Sequence, residues 1–510
     1  MSELNGLEMN SISTTPQVAP DYDDASFVSS RSDVNRHLPE MVQDESSGDE
    51  SQRPNDVERA LKGYHIFFIS VSGILGIGLY VRSANMLRLG GPGAVLVPFL
   101  VLGVLAWMVM QCISEMLLIW PVSGALRLFV QKFVDKELGY AVSVAYWFTY
   151  SMTFAALISA TAGEARMWST VAEHHSVQAI VFFTLNWVVL LVFNMFSVRN
   201  YGRLEVLGGT LKLLFIFVVM VMMVLINVGV GSCGYIGFKA YTESFFSHDT
   251  DQAGSAGQAF FMALQTAAFA FIGIEIPAVV AVEAEIMQPP NQKPEKFTGV
   301  KALPPFTLLR RLGNKFSLDN REPANAVLKF SAVYLPFCTA CIYLVAGFLV
   351  TLNVSSSDRS LPSNGWDQRC RNDTTTLILC PNRPANCTNS TSAFVISAYN
   401  AKIAGLPDAI TVFLILTALS SANTALYVAS RTLYDLGKQV RVPGNGPWHI
   451  KWPRKILSQF SKVGNRRVPH YALLASTAMF VWVPYLSLRS TSQNIEKVSL
   501  QNLTTQIFVG

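Results

Sequence analysis

The chain has 510 residues, of which 51% are hydrophobic and only 14% are charged, with a net charge of +5 at pH 7. A soluble protein of this length needs more charge to cover its surface, so the composition argues against one. Apolar runs recur along the chain, each about as long as the ~20 residues with which a helix crosses a bilayer. The composition therefore predicts an all-α integral membrane protein with many spans.

The predicted elements begin with an acidic, serine-rich segment over residues 1–62, which we expect to be a disordered cytoplasmic tail. It lacks the basic start and apolar stretch of a signal peptide, so the first span is expected to direct insertion. A transmembrane domain follows over residues 63–505. Its predicted spans lie near 66–86, 94–119, 139–162, 178–198, 206–229, 259–283, 327–351, 407–429 and 470–488.

The first span, HIFFISVSGILGIGLYVRSANML, carries Gly73, Gly76 and Gly78 at its apolar centre. Glycine weakens a helix, and no water is present at that depth to satisfy freed backbone groups. One interpretation is that the helix is unwound here and faces a cavity. The other is that the glycines only allow a neighbouring helix to pack closely.

The sixth span has Gly273, Glu275 and Pro277 within five residues. A carboxylate at the bilayer centre costs ~2.5 kcal/mol or more on insertion scales, and proline removes a backbone donor. Broken spans at corresponding positions of two halves are typical of an inverted-repeat transporter. Freed N–H groups bind an anion and freed carbonyls a cation, which favours a zwitterionic amino acid as ligand.

Two patterns place the N-terminus in the cytoplasm. Lysine and arginine are concentrated in alternate loops, as the positive-inside rule expects, including a long predicted cytoplasmic loop at 285–325. The loop at 352–395 falls on the other side of the membrane from the cytoplasmic loops, so it is predicted to be extracellular and glycosylated. Its four sequons begin at Asn353, Asn372, Asn386 and Asn389.

The seven cysteines form two groups. Four lie in or beside spans and are expected to be small packing residues: Cys112, Cys233, Cys338 and Cys341. Three share the sequon loop, where one disulfide is expected with its pairing open: Cys370, Cys380 and Cys387. Their spacing fits no standard zinc pattern, so neither a metal nor a cofactor is predicted.

Several stretches, in the right order, resemble the fungal amino-acid permeases of the amino acid–polyamine–organocation superfamily. They are GILGIGLYVRSANMLRLGGPGAVL, ISEMLLIWPVSGA, FVDKELGYAVSVAYWFTY, FAFIGIEIPAVVAVEAE and LSSANTALYVASRTLYDLGK. The resemblance extends from about residue 60 to residue 505. It implies a LeuT-like inverted-repeat fold with discontinuous spans one and six. It also implies proton-coupled uptake of amino acids across the plasma membrane by alternating access.

Carried over residue by residue, the resemblance implies a substrate site made mostly of backbone. In the first span its N–H groups are expected to meet the substrate carboxylate, and in the sixth span its carbonyls are expected to meet the α-amino group. Asn423 either bonds across the cavity or joins two helices. Glu275 is expected either to couple the proton or to hold the unwound segment. The implied substrate-binding residues are Gly76, Ile77, Gly78, Phe271, Ile272, Gly273 and Asn423.

Three departures from the family pattern change these expectations. Ile77 stands where relatives often carry threonine, which removes a hydroxyl contact. Leu157 stands where many relatives carry glutamate, which disfavours cationic substrates and puts the usual proton path in doubt. The chain stops near the start of a tenth span, whereas the family has twelve, so we expect an incomplete second repeat and weak or absent transport. Counterflow uptake beside an extended chain tests this.

The partners implied are an amino-acid substrate, the lipid bilayer and a ubiquitin-ligase adaptor on cytoplasmic regions, with no nucleic acid. Two alternatives to transport stay open: a non-transporting amino-acid sensor, and an inactive truncated permease. An enzyme is not expected, because no nucleophile–base pair or metal-ligand cluster appears inside a span.

Overall fold

The computed structural model describes residues 63–119, 124–168, 175–196, 198–242, 245–249, 252–277, 330–362, 379–380, 388, 390–439, 448–464 and 468–486. The predicted tail at 1–62 and the predicted loop at 285–325 lie outside these residues, as does much of 352–395.

The described residues form helices. The α-helices are α1 (Gly63–Ile74), α2 (Ile77–Ile119), α3 (Ala125–Phe133), α4 (Lys136–Ala165), α5 (His175–Asn194), α6 (Val198–Val228), α7 (Ala256–Ala268), α8 (Leu335–Asn353), α9 (Ala393–Asn400), α10 (Leu406–Gln439), α11 (Trp448–Gln459), α12 (His470–Met479) and α13 (Val483–Leu486). Short 3₁₀ turns follow α4, precede α7 and follow α7, at Arg166–Trp168, Lys239–Thr242 and Phe269–Phe271.

Several of these helices can cross a membrane by length and composition. They are 64–117, 136–165, 200–228, 331–353 and 406–438, and shorter apolar helices lie at 180–194 and 256–271. Large apolar side chains such as Leu207, Phe217 and Leu105 are more than half exposed on outward faces. Such surfaces suit lipid rather than water, so the chain is a multi-pass membrane protein. Each predicted span overlaps a described helix.

The first two predicted spans are joined by a kink. Helix α2 has 43 residues, which at 1.5 Å per residue is ~65 Å, about twice the thickness of the hydrocarbon core. At Gly91 the backbone leaves the helical region, with φ 76 and ψ −170. Backbone bonds beside the kink reach the 245–249 segment, from Gly93 N–H to Phe245 (2.8 Å) and from Ser247 N–H to Gly90 (3.1 Å). Glycine is required there because the left-handed conformation suits no larger residue.

Helix α10 is the central packing element. It lies against α4, α12, α9 and α1, while α2 packs against α7 and α8. Two buried clusters result. One surrounds Phe99 and Tyr343, and the other surrounds Tyr150 and Phe154. This packing brings the interrupted ends of α1, α2 and α7 together.

The disulfide differs from the expectation. Cys233, in the turn after α6, is bonded to Cys380, 147 residues away in the loop that precedes α9. The interpretation of Cys233 as a packing residue was therefore wrong, and the bond joins two loops instead of closing within one. Sequence spacing could not show this, because the two loops become neighbours only when α6 and α9 pack. Cys112, Cys338 and Cys341 are free and exposed.

One predicted glycosylation site is also corrected. Asn353 is the last residue of α8 and is 2% exposed. Its Nδ2 donates to the carbonyl oxygens of Met223 (2.9 Å) and Leu349 (3.0 Å). A glycan on this nitrogen would break these bonds and has no space, so the folded structure argues against modification of Asn353. The other predicted acceptors, Asn372, Asn386 and Asn389, lie outside the described residues.

We expect Cys380→Ser to lower thermal stability, because the bond that closes this long loop restricts the unfolded chain and contributes about 2–4 kcal/mol. Melting of the detergent-solubilised protein, followed by size-exclusion chromatography after heating, measures the change. Cys112→Ser is the matched control, since that thiol is free and exposed. Equal melting curves for the two variants would contradict the bond.

Candidate functional site at two broken helices

The first break separates α1 from α2. Leu75 and Gly76 are not helical. The N–H of Gly76 donates to the carbonyl of Ile74 (2.8 Å), not to that of Ser72, which a continuous helix would use. The carbonyl of Ser72 is thus released, and the first N–H groups of α2 have no acceptor within their own helix. The predicted break in the first span is confirmed.

The second break follows α7. The helix ends at Ala268, continues as a 3₁₀ turn through Phe271 and then passes through non-helical turns. Gly273 has φ 98, a conformation that favours glycine. The predicted break in the sixth span is confirmed, up to the last described residue, Pro277.

The two breaks are in direct contact. A methyl group added at Gly78 would lie 2.6 Å from Cα of Ala270, and one added at Gly273 would lie 3.0 Å from the carbonyl oxygen of Gly73. Real Cβ atoms essentially never lie at 2.6 Å, and at Gly273 the tight contact is combined with a positive φ, so both positions favour glycine. Both interpretations of the glycine-rich first span therefore hold, because the helix is unwound and a neighbouring backbone packs against it.

A small cavity lies between the breaks, with a volume of about 30 Å³. This is space for one or two water molecules and less than an amino acid needs. No charged side chain is among the described residues that line it, and Tyr150, Thr153 and Ser421 supply its polar side chains. The lining residues are Gly73, Ile74, Gly76, Ile77, Gly78, Tyr150, Thr153, Leu157, Phe269, Ala270, Ile272, Gly273, Ile276, Ser421 and Ala425.

Five of the seven substrate-binding residues implied by the resemblance line this cavity: Gly76, Ile77, Gly78, Ile272 and Gly273. The side chain of Phe271 does not. Its ring packs in the core, with centroids 5.3 Å from Tyr343 and 6.3 Å from Phe99. The carbonyl of Phe271 accepts the N–H of Ile274 (3.3 Å), and that of Gly273 accepts the N–H of Ile276 (3.1 Å). These two carbonyls thus already have one backbone partner each.

Asn423 does not line the cavity, so the assignment of its side chain to substrate binding was wrong. Its Oδ1 accepts from Nδ2 of Asn194 (2.7 Å), and its own Nδ2 donates to Oε1 of Glu205 (2.7 Å). Ser421 and Ala425, which line the cavity, are each two residues from Asn423 in α10. Two residues correspond to a rotation of about 200° around the helix axis, so Asn423 faces away from the cavity, toward α5 and α6. The open alternative, that Asn423 joins helices, is the one the structure shows.

Two side chains that sequence reasoning missed hold the released carbonyls. Nζ of Lys212, 3% exposed on α6, donates to the carbonyl of Ser72 (2.7 Å) and to Oγ of Ser421 (3.0 Å). The hydroxyl of Tyr343 donates to the carbonyl of Ile74 (2.7 Å) and lies 3.0 Å from that of Ala270. The signal for Lys212 was available, because it is a lysine inside an apolar predicted span.

Glu275 lies one side chain away from the cavity. Its Oε1 accepts from the hydroxyls of Tyr150 (2.5 Å) and Tyr146 (3.1 Å), and Tyr150 lines the cavity. The arrangement permits both roles considered for this carboxylate, which are proton exchange and the anchoring of the unwound segment. Among the described residues, no group of three His, Cys, Asp or Glu side chains is placed to hold a metal ion.

A comparison with known families decides the class of protein. The sequence profile of the family described as "Amino acid permease" matches residues 65–289 and 320–504. The chain belongs to the amino acid permease family. Membership confirms the resemblance to amino-acid permeases and the helical fold that it implied.

Curated amino acid permeases of fungi are similar to the chain. It is 26% identical over 405 residues to "Cationic amino acid transporter 1" of Schizosaccharomyces pombe, covering 79% of this chain and 57% of that one. It is 26% identical over 461 residues to "Basic amino-acid permease" of Saccharomyces cerevisiae (88% and 66%). It is also 26% identical over 473 residues to "Lysine/arginine permease" of Candida albicans (91% and 69%). The chain thus spans between 57% and 69% of the length of these three relatives.

A solved structure is also similar, that of Mhp1, a nucleobase-cation-symport-1 family transporter, in a closed conformation with bromovinylhydantoin bound. The TM-score is 0.40 at 11% identity, with 86% of this chain and 77% of that chain covered.

We expect Gly78→Ala to destabilise the permease, because the new methyl group would meet the backbone of Ala270 and the two breaks would have to separate. Overpacking of this kind costs about 1–3 kcal/mol. The melting temperature in detergent measures it. Gly257→Ala is the control, since that exposed position on α7 has no atom nearer than 4.0 Å. A Gly78→Ala variant as stable as the control would show that the contact is not tight.

Proposed function

We propose that the chain carries an amino acid across the membrane by alternating access around the cavity between the two breaks. The observation that carries this proposal is the direct contact of two interrupted helices around one cavity. The start of α2 presents N–H groups suited to a carboxylate, and the second break presents carbonyls suited to an ammonium group. Because the cavity of about 30 Å³ is too small for an amino acid, transport requires the cavity to widen.

The substrate we propose is a neutral amino acid. The names of the three relatives specify cationic, basic or lysine and arginine substrates. In this chain, however, Leu157 lies in the cavity wall at 4% exposure, and no carboxylate is among the described residues that line the cavity. A lysine or arginine side chain would therefore enter an apolar space without a counter-charge, at a large desolvation cost.

We propose that protons couple to transport through Glu275. Its hydroxyl partner Tyr150 contacts both the carboxylate and the cavity, so a change in the charge of Glu275 is transmitted to the substrate site by one hydrogen bond.

The orientation we propose puts the N-terminus in the cytoplasm and the disulfide outside the plasma membrane. Disulfides persist on the oxidising side, and Cys233 and Cys380 lie in loops that the charge pattern also assigns to that side. On this assignment residues 1–62 and 285–325 are cytoplasmic, where a ubiquitin-ligase adaptor would act, and residues 352–395 are extracellular.

A competition experiment in proteoliposomes tests the proposal. It measures how well unlabelled neutral, acidic and basic amino acids compete with a labelled neutral amino acid, the tracer. We expect neutral amino acids to compete best and tracer to accumulate in counterflow. Binding without accumulation would instead indicate a sensor. The absence of specific binding by any amino acid would sink the proposal.

Leu157→Glu is expected to admit basic amino acids, because it returns a carboxylate to the cavity wall. Their inhibition constants against the neutral tracer should fall at least about tenfold, which corresponds to ~1.4 kcal/mol. Leu157→Gln, equal in size but neutral, is the control and should not improve basic competitors. If both variants behave alike, the charge at this position does not select substrates.

Glu275→Gln is expected to remove the pH dependence of uptake. In the unaltered chain, uptake should rise as the external pH falls, since a symported proton then moves down its gradient. Glutamine keeps the hydrogen bonds from the two tyrosines but cannot exchange a proton. Uptake measured between pH 5 and 8, with Tyr146→Phe as a variant that keeps the carboxylate, checks this. A pH profile that survives in Glu275→Gln refutes the role.

A further inference from the structure

We propose that Arg82 sets the charge selectivity of the cavity, by covering it with a fixed positive charge that disfavours basic amino acids and favours acidic ones over them. This inference rests on the proposed function of the same cavity. Its argument depends on where Arg82 lies, on what its guanidinium contacts, and on what neutralises the other arginine nearby.

The position follows from helix geometry. Arg82 is four residues after Gly78 on α2, so the two residues share a face one turn apart. At Gly78 that face touches Ala270 of the second break. One turn farther on, the guanidinium carbon of Arg82 lies 4.9 Å from the ring centroid of Phe269, the neighbour of Ala270. Arg82 therefore continues the contact between the two breaks beyond the cavity.

Phe269 connects this charge to the cavity. Phe269 is one of the residues that line the cavity, and the partly buried Arg82 lies over its ring. A guanidinium over an aromatic face is held by the ring's negative potential. Arg82 and Phe269 together form a cap, named here the Arg82–Phe269 cap, and a substrate in the cavity is separated from the positive charge by one aromatic ring.

The charge of Arg82 is not neutralised within the described residues, since none of their carboxylates forms an ion pair with it. Arg88, farther along the same helix, differs. Its Nε donates to Oδ2 of Asp249 (3.0 Å) and its Nη1 to the carbonyl of Leu361 (2.9 Å). Arg88 thus forms a structural ion pair with Asp249, whereas the charge of Arg82 remains available to act on a substrate in the cavity.

The effect on substrates follows from Coulomb's law. A basic side chain in the cavity would have a fixed like charge across one ring and no carboxylate among the wall residues that the structure describes. An acidic side chain would instead have an opposite charge across that ring. The two charges would be the guanidinium of Arg82 and a charged substrate side chain on the other side of the Phe269 ring. At an effective dielectric constant between those of water and dry protein, such a pair changes the affinity for the substrate by about tenfold or more. Leu157 removes an attraction for cations, and the Arg82–Phe269 cap adds a repulsion.

The test compares competition by aspartate or glutamate with competition by lysine or arginine, against a neutral amino-acid tracer. In the unaltered chain we expect acidic competitors to be at least about tenfold more potent than basic ones. Arg82→Gln should reduce this ratio about tenfold. Arg82→Lys should retain the ratio, and Arg203→Gln, which removes an exposed positive charge near the start of α6, should also retain it.

Each outcome decides the proposal. Basic competitors as potent as acidic ones in the unaltered chain would overturn it, even if Arg82→Gln did not fold. A ratio that Arg82→Gln leaves unchanged would overturn it as well. If the unaltered chain does not bind the neutral tracer, the proposed function of the cavity is wrong. This result is thus distinguishable from a failure of the Arg82–Phe269 cap alone.

Discussion

The structure depends on one constraint, which is that backbone groups released inside a membrane must find partners in the protein. Each break removes helical hydrogen bonds, and lipid supplies no replacements. The released carbonyls of Ser72 and Ile74 meet Lys212 and Tyr343, from α6 and α8. The cost of interrupting two helices is thereby offset by side chains on two others.

The same constraint explains where charge is found. The cavity wall carries no charged side chain among its described residues, yet charged groups lie directly behind it. Lys212 lies behind the first break, Glu275 behind Tyr150 and Arg82 behind Phe269. An intervening hydroxyl or aromatic ring in each case separates the charge from the cavity. Under the proposed function, these charges would act electrostatically on a zwitterion from behind the cavity wall.

A buried polar network ties these groups to the rest of the bundle. Asn194, Asn423 and Glu205 join α5, α10 and α6 by hydrogen bonds of 2.7 Å. Glu205 lies on the same helix as Lys212, two turns before it. Side-chain hydrogen bonds between membrane helices contribute about 0.6–2 kcal/mol each. We infer that the network fixes the position of α6, and hence of Lys212, relative to the first break.

The sequence by itself determined what depends on neighbouring residues. Apolar length located the spans, and glycine, proline and a mid-membrane carboxylate located both breaks, because these features act within one helical turn of themselves. What only the tertiary structure decided depends on which surfaces meet. It turned Asn423 toward α5 and α6, placed Phe271 in the core, paired Cys233 with Cys380 and brought Lys212 to the carbonyl of Ser72. These contacts join residues far apart in the chain, and helix rotation and packing set them, so a local pattern carries no information about them.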